Sequence, residues 1–130
     1  MNVLGFLGVG AGAMLGAWLR WAFGVGLAGA SATMPGGLPL GTLASNLLGG
    51  FLIGCAIAYF AGHPDLNPAW RLFAVTGFLG GLTTFSSFSG ESLGYLLDGR
   101  YMLAVGHSAV HLFGSLLTCA LGHALTEKLA

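Results

Sequence analysis

Four apolar stretches, each long enough to cross a bilayer, fill almost the whole chain and leave it few other ways to fold. They run from about Val3 to Leu27, Leu40 to Gly62, Ala69 to Leu97 and Tyr101 to Leu125. A helical span needs about 20 largely apolar residues. Between them lie only short joints: Ser31-Ala32-Thr33-Met34-Pro35-Gly36-Gly37, the loop from His63 to Pro68, and the tight turn Asp98-Gly99-Arg100. Charged residues make up 6% of the chain, against about 25% in soluble domains. The expected fold is an all-α membrane protein, a single four-span transmembrane domain over residues 1–130. The first stretch has no positively charged leader and is too long for a signal core, so it reads as a retained span. A net charge of zero without any Lys/Arg cluster excludes a nucleic-acid footprint.

Glycines at four-residue spacing mark helices that pack closely: Gly8/Gly12/Gly16, Gly50/Gly54 and Gly77/Gly81. The run Gly8-Val9-Gly10-Ala11-Gly12-Ala13 mimics a dinucleotide loop, but no strand precedes it and no acid follows at the required distance. Cys55 and Cys119 fall inside spans without Cys-x-x-Cys spacing and read as small apolar residues. Basic residues divide evenly between the two sides, Arg71 and Lys128 against Arg20 and Arg100. This leaves no positive-inside bias. Insertion in both orientations, as an antiparallel dimer requires, is one reading; orientation fixed by another signal is the other.

The third stretch is about 29 residues, or ~43 Å as a continuous helix. Gly80-Gly81-Leu82-Thr83-Thr84 falls ~17–20 Å along it, near the bilayer midplane. A break is expected there, and broken helices at membrane depth survive only inside protein or along a polar cavity. Thr84 would cap the second half-helix, whose N-terminus favours negative charge.

Polar groups within the spans form a short set. Thr42 and Asn46 lie one turn apart on the second; their amide and hydroxyl either tie helices together or line an ion path. Phe85 and Phe88 share a face after the break, and a phenyl edge is electropositive enough to face an anion. His107, His111, Ser115 and Thr118 form a polar stripe on the fourth span. The histidine pair has metal-binding spacing but no evident carboxylate to complete a set, so a water- or ion-lined face is the preferred reading. Glu91 is the one acid well inside a span, either functional or tied to a neighbouring hydroxyl.

At these residues the chain closely resembles the Fluc/CrcB family of fluoride channels. The resemblance rests on Gly77-Phe78-Leu79-Gly80-Gly81-Leu82-Thr83-Thr84-Phe85-Ser86-Ser87-Phe88, on Gly41-Thr42-Leu43-Ala44-Ser45-Asn46, and on Gly12-Ala13-Met14-Leu15-Gly16-Ala17-Trp18-Leu19-Arg20-Trp21. It implies an antiparallel, dual-topology homodimer in the lipid of the bacterial plasma (inner) membrane, passing fluoride through two pores. The protein would be a passive channel, not an enzyme, lowering cytoplasmic fluoride. By resemblance Phe85, Phe88 and Asn46 line the pore, and Thr42, Glu91 and Ser115 match polar positions flanking it. Backbone carbonyls of Gly80 and Thr83 from both subunits would hold a structural sodium ion. The departure is His107 and His111, which stand where a tyrosine and a serine are expected.

Two rivals remain at this point. A proton-coupled exporter of the small multidrug type is also four-span, but needs a titratable carboxylate in its first span, and none is there. A non-transporting membrane assembly subunit predicts no ion flux at all.

Overall fold

The computed structural model describes residues 3–129, and all their regular structure is helical. Helix α1 spans Val3–Gly26, a short α2 spans Ala28–Thr33, and α3 spans Leu40–Gly62. The third stretch is a series: α4 (Pro68–Arg71), a π-helical segment (Leu72–Leu79), α5 (Gly80–Leu82) and α6 (Phe85–Leu97). Helix α7 covers Tyr101–Leu129. Four helical stretches are long and apolar enough to span: Val3–Gly26, Leu40–Gly62, Pro68–Leu97 and Tyr101–Leu129.

Local chemistry sets the joints. Asn67 caps α4 by accepting the Ala69 N–H at 2.9 Å, with Pro68 in the first turn, where its missing N–H costs nothing. At the end of α6, Arg100 N–H bonds Tyr95 O at 2.8 Å and Gly99 N–H bonds Leu96 O at 3.1 Å. Gly99 sits between them at φ 72°, the left-handed cap that glycine adopts without strain. The joint after α1 is less irregular than its turn-rich sequence suggests. Ser31 N–H reaches back to Leu27 O at 2.8 Å, and the Ser31 hydroxyl accepts the Leu40 N–H at 3.0 Å. Residues Ala28–Thr33 are therefore helical, where the sequence suggested a turn from Ser31 onward.

The glycine stripes pack two pairs of spans at backbone distance. Against α1, a methyl group on Gly77 would come within 2.7 Å of Val9 O. A methyl on Gly16 would strike Phe78 O and lie 2.7 Å from Leu82 N. The second pair is α3 with α7, where a methyl on Gly50 would meet Ser115 O at 2.8 Å and one on Gly122 would strike Phe51 O. A further stripe on α3, Gly41-Ser45-Gly49, is fully buried. It joins the pairs, with Gly41 against Gly24 of α1 and Gly49 against the Thr83 methyl. Without apolar expulsion by water, this van der Waals fit is what drives helices together in lipid. Cys55 and Cys119 are free and half-buried, the Cys55 thiol 3.5 Å from Gly122 O. Outward faces carry large apolar side chains, including Phe6, Trp18, Met102 and Phe113.

Candidate functional site

The π-helical segment and α5 end at Leu82, and the chain turns extended for two residues before α6. Thr83 has φ/ψ of −82°/152° and Thr84 −149°/117°. Two side chains organise the interruption. Thr84 Oγ1 accepts the Ser87 N–H at 3.2 Å, the N-cap expected of it. Asn46 grips the Thr84 backbone from α3, its Oδ1 accepting the Thr84 N–H at 2.8 Å and its Nδ2 donating to Thr84 O at 3.1 Å.

Those bonds redirect donors that a continuous helix would use otherwise. The α-helical acceptor of Thr84 N–H is the carbonyl four residues back, Gly80 O, and that of Ser87 N–H is Thr83 O. Both donors are turned to side chains instead, so Gly80 and Thr83 lose their helical partners. Two neighbouring carbonyls, Leu79 O and Gly81 O, are engaged. Leu79 O accepts from Thr83 N–H at 3.0 Å and from its hydroxyl at 2.9 Å. Gly81 O accepts from Arg20 Nε at 3.1 Å. Arg20 was legible only as a charge near a span end; nothing in its spacing signalled this role.

Around the interruption opens a cavity of about 720 Å³ whose walls include Asn46, Thr84, Phe85, Phe88, His111 and Ser115. Gly80 and Thr83 line it as well. The wall residues include no Lys or Arg. The two phenyl centroids are 5.4 Å apart and tilted by 47°, and Phe85 is 79% exposed.

A polar cluster adjoins the cavity behind Phe88. The Phe88 ring lies 5.3 Å from His107, nearly parallel, and 4.9 Å from His111. Thr42 donates its hydroxyl to Glu91 Oε1 at 2.5 Å, and His107 Nε2 stands 3.2 Å from Glu91 Oε2. Ser92 Oγ is 3.0 Å from His107 Nδ1. Glu91, His107 and His111 bring their ligand-type atoms within 4.8 Å of one another. This corrects the expectation that no carboxylate stands near the histidine pair: α6 packs on α7 and delivers Glu91 to it. The buried Tyr95 closes the cluster, edge-on to His107 at 5.5 Å, with the Arg100 guanidinium 5.2 Å over its ring. Ser92 and Tyr95 were not picked out from sequence, although Phe88, Glu91, Ser92 and Tyr95 fall on one helical face.

Thus Asn46, Phe85, Phe88, His111, Ser115, Gly80 and Thr83 share one cavity, while Thr42, Glu91 and His107 form the cluster beside it. Thr118, the last member of the α7 stripe, donates to Ser115 O at 3.1 Å. Four helices long and apolar enough to span, three of which line a neutral cavity with amide, hydroxyl and aromatic groups, define a multi-pass membrane protein with the make-up of an ion-conducting channel. The chain belongs to the family described as CrcB-like protein, Camphor Resistance (CrcB), whose model matches residues 7–123. It is 58% identical over 122 residues to a Cupriavidus metallidurans protein named fluoride-specific ion channel FluC, covering 94% of each chain. Proteins of the same name from Ralstonia nicotianae (57%, 94% of each chain) and Pseudomonas putida W619 (52%, 89% of this chain and 88% of the relative) are also similar.

Proposed function

We propose that this protein is a passive, fluoride-selective channel of the bacterial plasma membrane that exports fluoride from the cytoplasm. The observation that carries the reading is the chemistry of the cavity wall. Conduction requires binding strong enough to admit the ion and weak enough to release it. Fluoride is small and strongly hydrated, and a lysine or arginine in its path would trap it. Hydroxyls, an imidazole and phenyl edges supply several modest positive dipoles instead. The name of the relatives, fluoride-specific ion channel, agrees with this chemistry.

In this reading Phe85, Phe88, Asn46, His111 and Ser115 line the ion path, and Thr42, Glu91 and His107 flank it. Two antiparallel copies form the working unit, with the interrupted third span near the bilayer midplane. The even division of basic residues between the two sides of the chain supports this, since it favours neither orientation. Gly80 and Thr83, two of the carbonyls that the interruption deprives of helical donors, fit a cation that prefers oxygen ligands. Paired across a two-fold axis they would hold a structural sodium ion, which supplies charge to satisfy carbonyls that lipid cannot.

The test is fluoride-electrode efflux from liposomes containing the purified protein, with chloride-loaded vesicles as control. Fluoride efflux without chloride efflux is expected; equal or absent fluxes would refute the assignment.

A further inference from the structure

The hydrogen-bond arithmetic around Asn46 leaves one donor over, and it is not on Asn46. The amide nitrogen has two hydrogens. One goes to Thr84 O at 3.1 Å and the other to His111 Nδ1, also at 3.1 Å. The amide cannot be turned round, because its oxygen already accepts the Thr84 N–H at 2.8 Å. His111 Nδ1 must therefore be the acceptor, and in the neutral ring the proton sits on Nε2. His111 is only 5% exposed, and its Nε2 has no hydrogen-bond partner among the described residues.

The same residues, with Glu91 and His107, form a set that suits a divalent cation by composition. Donor geometry decides against it. A metal needs the Nε2 lone pair, which would move the proton to Nδ1 and set two N–H groups against each other at Asn46. An N–H without an acceptor has a donor to offer an anion and nothing to offer a cation. The Glu91 carboxylate has partners of its own in Thr42 and His107.

We propose that His111 presents Nε2–H directly to the permeating anion beside the Phe88 ring, and that Asn46 is a positioning residue that acts through His111 by fixing its tautomer. This rests on the fluoride reading above. His111 would thus supply from α7 the donor that Asn46, fully engaged, does not.

The test uses the full-length protein in liposomes. Glutamine places an amide N–H near the position of Nε2, whereas asparagine reaches only as far as Nδ1. His111→Gln should keep fluoride efflux within ~3-fold, and His111→Asn should lower it at least ~10-fold, as for a lost hydrogen bond to a charged group. The reverse order overturns the proposal. In ¹⁵N-histidine-labelled wild-type protein near neutral pH, the His111 ring should be Nε2-protonated. Its N–H resonance should move on adding sodium fluoride and stay put with sodium chloride; an Nδ1-protonated or fluoride-insensitive ring overturns the proposal without any variant. Asn46→Asp should invert the tautomer, cutting fluoride efflux while creating zinc inhibition that the wild type lacks, a gain no merely structural loss produces. Zinc block of the wild type, relieved by His111→Asn, would instead assign the cluster to a cation. Wild-type vesicles that pass no fluoride sink the channel reading itself, and the fluoride response of the resonance still decides the binding claim.

Discussion

Asn46 binds the backbone of Thr84 at both ends of one residue, N–H to Oδ1 at 2.8 Å and Nδ2 to C=O at 3.1 Å. A side chain from α3 thereby completes the pairing of an extended residue between two helices. Leucine at this position would fill similar space and satisfy neither group. Asn46→Leu should cost about 1–3 kcal/mol, the penalty of stranding buried polar groups, and should abolish fluoride flux. Denaturant titration in detergent alongside liposome efflux checks both; a variant of wild-type stability would mean that the Thr84 backbone finds other partners.

Glycine substitutions should separate packing from composition. Gly16→Ala drives a methyl into the Phe78 carbonyl, where backbone must shift, at a cost of about 1–3 kcal/mol. Gly10→Ala meets nothing within 4 Å and should be neutral or stabilising by up to about 1 kcal/mol. Melting temperatures of the two purified variants should move in opposite directions or, for Gly10→Ala, not at all.

Phe88 and Glu91 discriminate a channel from a proton-coupled carrier. The Phe88 ring bridges the cavity and both histidines, so Phe88→Ile should reduce fluoride efflux by at least ~100-fold if several dipolar contacts are lost together. Glu91→Gln keeps an acceptor for the Thr42 hydroxyl and should cost less than ~10-fold. The opposite ranking, with an applied proton gradient driving uptake, would favour the carrier.

Sodium should matter to assembly more than to the ion path. Replacing sodium by N-methylglucamine, too large for a pair of carbonyls, should shift the detergent-purified protein from dimer to monomer. Sedimentation that is indifferent to the cation would count against the Gly80–Thr83 site.

Orientation can be read in cells. A cysteine introduced at Asp98, in the turn between the third and fourth spans, should be about half accessible to an impermeant thiol reagent from outside if the chain inserts both ways, as even basic flanks suggest. Full protection or full labelling would indicate one topology.

Span positions were legible because bilayer thickness translates directly into residue count. The second stretch, Leu40 to Gly62, has the same limits as α3, and the third differs by one residue at Pro68. The fourth continues to Leu129, past the Leu125 at which apolar character fades. The cavity residues were legible because amides and hydroxyls are costly in lipid and so stand out. What escaped were relationships between distant elements. Nothing local tells that Arg20 reaches Gly81 O, sixty-one residues away, or that Glu91 joins the histidines. Those depend on which faces of α1, α6 and α7 meet, which a single sequence does not rank. The π-helical segment was also invisible, since its apolar run Leu72–Leu79 reads the same in any helix.

That segment has a consequence for how the chain tolerates length changes. A π turn accommodates roughly one residue more than an α turn, and each residue in an α-helix advances the azimuth by about 100°. The Leu72–Leu79 stretch therefore works as a phase adjuster between Pro68–Arg71 and the residues that follow. Deleting one residue there would let the helix relax to α geometry with its downstream half still in register, whereas the same deletion in α6 would swing the side chains beyond it through about 100°. One-residue deletions in this third span should thus be far better tolerated within Leu72–Leu79 than after Thr84.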